Sequence, residues 1–151
     1  MTQRIAFQDV PEGYMDVLMK TGYYIKKSGL DPKLVELINF RVSQINGCAY
    51  CLDMHHKDLM VMGETEQRLY SLPAWRECPY YDDKERAVLA YAESLTHTHD
   101  ADDDVFEALS AFFSKAQIAN ITLVIVTINT WNTLNKSFRT IPGGYKPGQY
   151  N

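Results

Sequence analysis

The sequence is short of most features that would place it in a specialised class. Its 151 residues hold 15 Lys and Arg against 19 Asp and Glu, a net charge of −4, and the cations form no run. A nucleic-acid surface needs a basic patch or stripe, so no nucleic-acid partner is expected. Long apolar runs are missing as well. The most apolar stretch, Ile118 to Leu134, is broken by Asn120, Thr122, Thr127, Asn129, Thr130 and Asn132. Its longest unbroken apolar run is Leu123 to Val126, far below the ~20 residues of a membrane span. The opening MTQRIAFQDVPEGYMDV has no apolar stretch after its arginine, unlike a secretory leader. A cytoplasmic protein without membrane attachment is expected. Cysteine is scarce too: three residues, an odd count, do not make an extracellular disulfide framework.

What remains is an ordinary globular composition, 46% hydrophobic and 23% charged, which argues against disorder. A chain of this length makes one domain and buries about 70% of its surface on folding, enough for a core without disulfide or metal staples. No internal repeat or linker divides it, so residues 1–151 read as a single domain, with an N-terminal helical segment in 1–30 and an arm at 139–151.

The punctuation is helical. After Pro11, the residues Tyr14, Val17, Leu18, Tyr24 and Ile25 share a helical face that closes at Ser28-Gly29. Asp31-Pro32 supplies an N-cap and a first-turn proline, and Leu34, Val35, Ile38, Val42 and Ile45 continue as one apolar face. Asn46-Gly47 interrupts that helix. A third helix runs from about Ala49 to Met62-Gly63, and Asp82 with Glu85 caps a helix over Lys84 to Leu95. The acidic residues around Asp100–Asp104 start a short helix over Val105 to Phe113. Ser114 with Gln117 caps a last helix running to about Phe138. The β-branched stretch Ile121 to Ile128 is the one place a strand could hide, but its length and cap favour helix. An all-α bundle of about six helices is expected. The apolar residues of the last helix cover more than one face, which points to burial on several sides and to homo-oligomerisation; the Pro- and Gly-rich arm could lie across a neighbouring copy.

The chemistry concentrates in ELINFRVSQINGCAYCLDMHH, Glu36 to His56. Cys48 and Cys51 are one helical turn apart, so their sulfurs share a side and can close into a disulfide without unfolding. In a reducing compartment such a pair is catalytic, redox-active or metal-binding more often than a staple. Cys48 falls at a helix start, where unpaired N–H groups lower a thiol pKa. His55 lies one turn after Cys51 and is placed to take its proton. These two arguments nominate different cysteines as the nucleophile, and the histidine spacing is given more weight because a base also serves the leaving group. Glu36, flanked by apolar residues on both sides, has an ambiguous facing; turned inward it can orient His55 or act as a base with a raised pKa.

The run Glu36…Asn46-Gly47-Cys48-Ala49-Tyr50-Cys51…His55 resembles the alkylhydroperoxidase D-like (AhpD-like) branch of the carboxymuconolactone decarboxylase family. That pattern places a glutamate twelve residues before a Cys-x-x-Cys and a histidine four residues after it. The similarity extends through Gly63–Leu69, Leu72–Arg76 and Ile128–Asn132, covering most of the chain from Asp31 to Phe138. The resemblance implies an all-helical obligate oligomer, trimer or hexamer, that reduces hydroperoxides in antioxidant defence. By the same resemblance Cys51 attacks the peroxide, Cys48 resolves the sulfenic acid to a disulfide, Glu36 and His55 relay protons, and an external dithiol donor, a thiol-disulfide reductant protein, restores the thiols. No bound cofactor or metal is implied. One departure stands out: a histidine that some peroxidases of the branch carry before the second cysteine is Tyr50 here, which shortens the relay and bears on how active a peroxidase this is.

Other readings of the same residues stand beside this one. Cys48, Cys51 and His55, with His56, Cys78, His97 or His99, could make a zinc site, although no second ligand pair sits at finger-like spacing. Glu36 and His55 could serve a decarboxylase-like lyase without redox turnover, though the family's founding decarboxylases lack the cysteine pair. The dithiol could be a non-enzymatic redox sensor or packed structural cysteines. Cys78 has no visible base partner and reads as a bystander, His56 as a surface group, and His97 and His99 as helix C-terminal cations.

Overall fold

A computed structural model describes residues 2–150, so the outermost positions of the N-terminal segment and of the arm, Met1 and Asn151, lie outside the described residues. Seven α-helices are found among the described residues and no strand: α1 (Tyr14–Lys26), α2 (Pro32–Asn46), α3 (Ala49–Val61), α4 (Glu66–Ser71), α5 (Asp83–Thr98), α6 (Asp103–Ser110) and α7 (Lys115–Phe138), with a 3-10 turn at Leu72–Ala74 after α4. The all-α expectation holds, and Ile121–Ile128 is helical. The additional helix is α4, which buries only Leu69 of its own residues. Six residues are too few to display an apolar period, which is why it is hidden in the sequence.

The caps explain the boundaries. Asp31 accepts a hydrogen bond from the Lys33 backbone N–H with Pro32 at the first helical position. Reciprocal capping boxes, Asp82 with Glu85 and Ser114 with Gln117, start α5 and α7. His99 (φ 62°) and Arg139 (φ 55°) end the same two helices in the left-handed conformation. There His99 acts as a backbone cap, while His97 lies in the last turn of α5.

Helix α2 is the axis of the bundle and packs against α3, α5 and α7. One of its faces joins the larger core, where Leu34, Ile38 and Val42 meet Val88, Ile121 and Ile125. Another joins a second core, where Leu37 and Phe40 meet Leu59, Leu72 and Leu89. Between the cores α5 contributes Glu93, which accepts hydrogen bonds from Arg41 Nε (2.8 Å), Trp75 Nε1 (2.9 Å) and Arg76. The Arg76 guanidinium lies 4.2 Å over the Trp75 ring. The arm runs back over its own chain rather than projecting from it: Asp53 accepts from the Gly143 N–H at 3.0 Å, and Lys57 Nζ donates to the Gly143 and Tyr145 carbonyls at 3.1 and 3.2 Å. No single helix among the described residues is long and apolar enough to cross a membrane.

Burial alone would raise the Glu93 carboxyl pKa, but hydrogen bonds from Trp75, Arg76 and Arg41 outweigh it and hold the group below its ordinary value. A group with a lowered folded pKa stabilises fully above its unfolded value, about 4.3 for Glu, and that stability is lost as pH falls through the folded value. Glu93→Gln, which leaves Arg41 with an unpaired partly buried charge, is expected to cost about 3 kcal/mol in urea unfolding at neutral pH. The variant should also lose less stability than the native protein on acidification below about pH 4.

Candidate active site

The turn between α2 and α3 builds the site. Gly47 takes φ 62°, its N–H and that of Cys48 close on the carbonyls of Gln44 and Ser43, and α3 begins at once. Cys48 is the N-cap of α3, and its sulfur accepts the Cys51 backbone N–H at 3.4 Å. The cysteines are paired as a disulfide with Cα atoms 5.3 Å apart, within the usual span for such a bond. Each is 1% exposed.

The sequence left the facing of Glu36 open; in the structure it faces α3. Its Oε2 lies 2.6 Å from His55 Nδ1, and its Oε1 accepts from Asn39 at 3.2 Å. Burial would raise the Glu36 carboxyl, but the His55 charge and hydrogen bond outweigh it, together with Asn39, so the group stays below its usual range. This runs against the raised pKa considered from sequence, because the histidine that the carboxylate orients also stabilises its charge. An ionised Glu36 accepts, so Nδ1 carries a proton, and Nε2 is the ring nitrogen left to exchange one with a substrate or thiol. His55 is 4% exposed and its Nε2 is buried without a partner.

Glu36, Cys51 and His55 open onto a cavity of about 240 Å³ between α1, α2, α3, α7 and the arm. Its apolar wall includes Phe7, Met15, Met19, Met54 and Trp131. Phenols close it from the arm side. Tyr145 donates to both Asp58 carboxylate oxygens at 2.9 Å, Tyr150 stacks on Tyr145 with ring centroids 5.8 Å apart, and the Tyr150 and Tyr50 hydroxyls are 2.9 Å apart. Burial and the hydrogen bond to Tyr150 raise the Tyr50 pKa above its ordinary value, so Tyr50 is neutral and cannot replace a histidine as a base.

All four residues expected from sequence are therefore assembled on α2 and α3. Residues the sequence reading did not single out join them: Asp58, Tyr145 and Tyr150 in the cavity wall, and Asn135, whose Nδ2 lies 3.6 Å from Cys51 Sγ. Asn135 was legible in principle, since Ile121, Ile125, Ile128, Asn132 and Asn135 follow one another at steps of three and four on the buried face of α7. The remaining histidines and Cys78 stand apart. His56 faces Glu66 at the surface (3.1 Å), and the Cys78 thiol faces the Ser71 carbonyl at 3.9 Å. Among the described residues a possible cation-binding set is Glu36, His55 and Asp58, with ligand atoms within 4.8 Å of one another. It includes neither cysteine, unlike the zinc set considered from sequence, and its members are already engaged with one another or with Tyr145.

Comparison with known proteins gives the family and supports the fold. The model of the carboxymuconolactone decarboxylase family matches residues 8–94, more than half of the chain. Bacillus subtilis YdfG, an uncharacterised protein, is 39% identical over 138 residues, covering 89% of this chain and 93% of its own. A crystal structure from Agrobacterium tumefaciens, of a protein of unknown function provisionally named the antioxidant defence protein AhpD, superposes with a TM-score of 0.90 at 37% identity, covering 95% of this chain and all of that one. A peroxidase-related protein from Silicibacter sp. TM1040 shares the fold, with a TM-score of 0.78 at 23% identity over 91% of this chain and 74% of its own. The chain belongs to the carboxymuconolactone decarboxylase family, as an alkylhydroperoxidase D-like member.

Proposed function

We propose that this protein is a thiol-dependent hydroperoxide reductase of antioxidant defence, working through Cys48 and Cys51 with an external dithiol donor. The observation that carries the reading is a closable dithiol whose Cys51 opens, together with a hydrogen-bonded carboxylate–imidazole pair, onto one apolar cavity. The name given to the 37%-identical Agrobacterium protein supports the same assignment.

His55 Nε2 takes the Cys51 proton while Glu36 steadies the resulting imidazolium through Nδ1. The Cys51 thiolate attacks the terminal oxygen of ROOH and supplies the electron pair that breaks the O–O bond. The departing alkoxide takes the proton from His55, leaving ROH and Cys51 sulfenic acid. The Cys48 thiolate, formed at the start of α3, then attacks that sulfur, and the hydroxyl leaves as water with the proton released from Cys48. Two electrons and two protons from the donor dithiol restore the thiols. Apolar walls favour an organic R group, and no bound cofactor is needed, because the donor provides the electrons. Partly exposed apolar side chains on neighbouring helices, Val17, Tyr23 and Val126 among them, support assembly into a homo-oligomer, which we take to be a trimer or hexamer in the cytoplasm.

A second reading is acid–base lyase chemistry on Glu36 and His55, favoured by the convergence of these groups with Asp58 independently of the sulfurs. Thiol titration of reduced protein with one equivalent of cumene hydroperoxide separates the two. Two thiols should vanish in the native protein, Cys51→Ser should consume no peroxide, and Cys48→Ser should stop at a sulfenic acid. Three intact thiols in folded native protein would refute the peroxidase reading, and consumption of a lactone acid by Cys51→Ser would establish the lyase. A stoichiometric disulfide that no dithiol donor turns over would make the protein a sensor. Glu36→Gln is expected to slow peroxide-driven thiol loss by about 10²–10³. Since Glu36 titrates below the ordinary carboxylate range, the native rate should show no Glu36-dependent fall until the pH drops below about 4.

A further inference from the structure

Asn135 lines the cavity beside Cys51, one helical turn beyond Trp131, and is 5% exposed. Its Nδ2 donates to the Trp131 carbonyl at 2.9 Å and to Cys51 Sγ at 3.6 Å. A backbone carbonyl only accepts, so Trp131 fixes which end of the amide carries hydrogen and directs the second N–H at the sulfur. The other end of the amide, Oδ1, is buried and has no partner. Buried acceptors in folded proteins are nearly always satisfied, so this one, covered yet unpaired on the same amide that reaches Cys51 Sγ, calls for a donor that enters with a ligand.

We propose that Asn135 is a catalytic residue of the dithiol site: its N–H holds the Cys51 sulfur as thiolate, and its unpaired carbonyl receives the O–H of the incoming hydroperoxide once the side chains over it give way. This deepens the hydroperoxide reading and rests on it. The N–H contact gains most when the sulfur is charged, because a hydrogen bond to an ion is stronger than one to a neutral group. It acts on Cys51 and not on Cys48, whose sulfur is served by the backbone N–H at the start of α3. The two thiols thus have separate electrostatic supports, which removes the ambiguity between them: Cys48 has the helix start, and Cys51 has both the imidazole one turn on and the amide of α7. A hydroperoxide whose O–H donates to Oδ1 presents its terminal oxygen to that sulfur. When Cys51 attacks, the O–O bond breaks, the hydrogen stays on the sulfenic oxygen and the alkoxide takes the His55 proton.

The test begins without peroxide. In reduced protein carrying Cys48→Ser, the pH dependence of Cys51 alkylation by iodoacetamide is followed by peptide mass for the parent, Asn135→Ala and Asn132→Ala. Asn135→Ala should move the midpoint upward by about one pH unit. Asn132→Ala removes another buried amide of α7, one that bonds Asn46 and Ser43 and makes no contact with the sulfur. It should lower thermal stability and leave the midpoint where it is. Oxidation by cumene hydroperoxide is then measured above both midpoints. There the alkylation rates of parent and Asn135→Ala should converge, while the peroxide rate of Asn135→Ala should stay about tenfold lower. An unchanged midpoint, an equal shift in Asn132→Ala, or peroxide rates that converge along with the alkylation rates would overturn the proposal. If Cys51 of the parent ignores cumene hydroperoxide altogether, the hydroperoxide reading itself has failed and the carbonyl's part falls with it; the alkylation midpoint, read without peroxide, still decides the N–H contact to sulfur.

Discussion

The left-handed turn at Gly47 is the constraint on which the rest of the site depends. A residue with a Cβ resists that conformation, and without it α2 would not hand over to α3 within two residues. The reversal lays α3 against α2 in antiparallel fashion, which sets His55 opposite Glu36 although they are nineteen positions apart. It also starts a new helix at Cys48, so that the otherwise unpaired Cys51 backbone N–H meets a sulfur and not water. The carboxylate–imidazole pair, the dithiol and the helix start therefore form one local unit. The larger core holds one side of it through Leu34, Ile38 and Val42, and the smaller core holds the other through Leu37 and Leu59.

Much of this unit was legible in the sequence, because it is built from local signals. Asp31-Pro32, Asp82 with Glu85 and Ser114 with Gln117 mark helix starts by the chemistry of their own side chains. Asn46-Gly47 marks a break, and the spacing from Cys48 to His55 fixes a shared helical side. What escaped was non-local. The facing of Glu36 depends on where α3 packs, and with apolar neighbours on both sides its own helix does not decide the matter. Helix α4 is one and a half turns long and draws its order from its N-cap, Thr65, and the burial of Leu69. The arm has no periodicity to read, and its place on α3 comes from Asp53, Lys57 and Asp58, some ninety residues earlier in the chain.

Helix α7 shows how a polar group can belong to a core. Its buried face carries Ile121, Ile125 and Ile128 and then turns to Asn132 and Asn135 without a change of spacing. Asn132 spends its amide on Ser43 and Asn46, tying α7 to the end of α2. Asn135 keeps one end open. Asn132 and Asn135, a single turn apart, thus serve the two tasks of one helix face, which both ties the bundle together and lines the cavity.

The clasp over the cavity has a kinetic side. Both cysteines are almost wholly covered, and the phenols of Tyr50, Tyr145 and Tyr150 wall the cavity that Cys51 lines. In the proposed cycle a small oxidant needs only a gap between rings, whereas a protein thiolate must approach along the S–S axis with its own backbone behind it. The oxidising and reducing halves of the cycle therefore ask for openings of different size. The Lys57 and Asp58 contacts that hold the arm over the cavity bear on the larger opening more than on the smaller one.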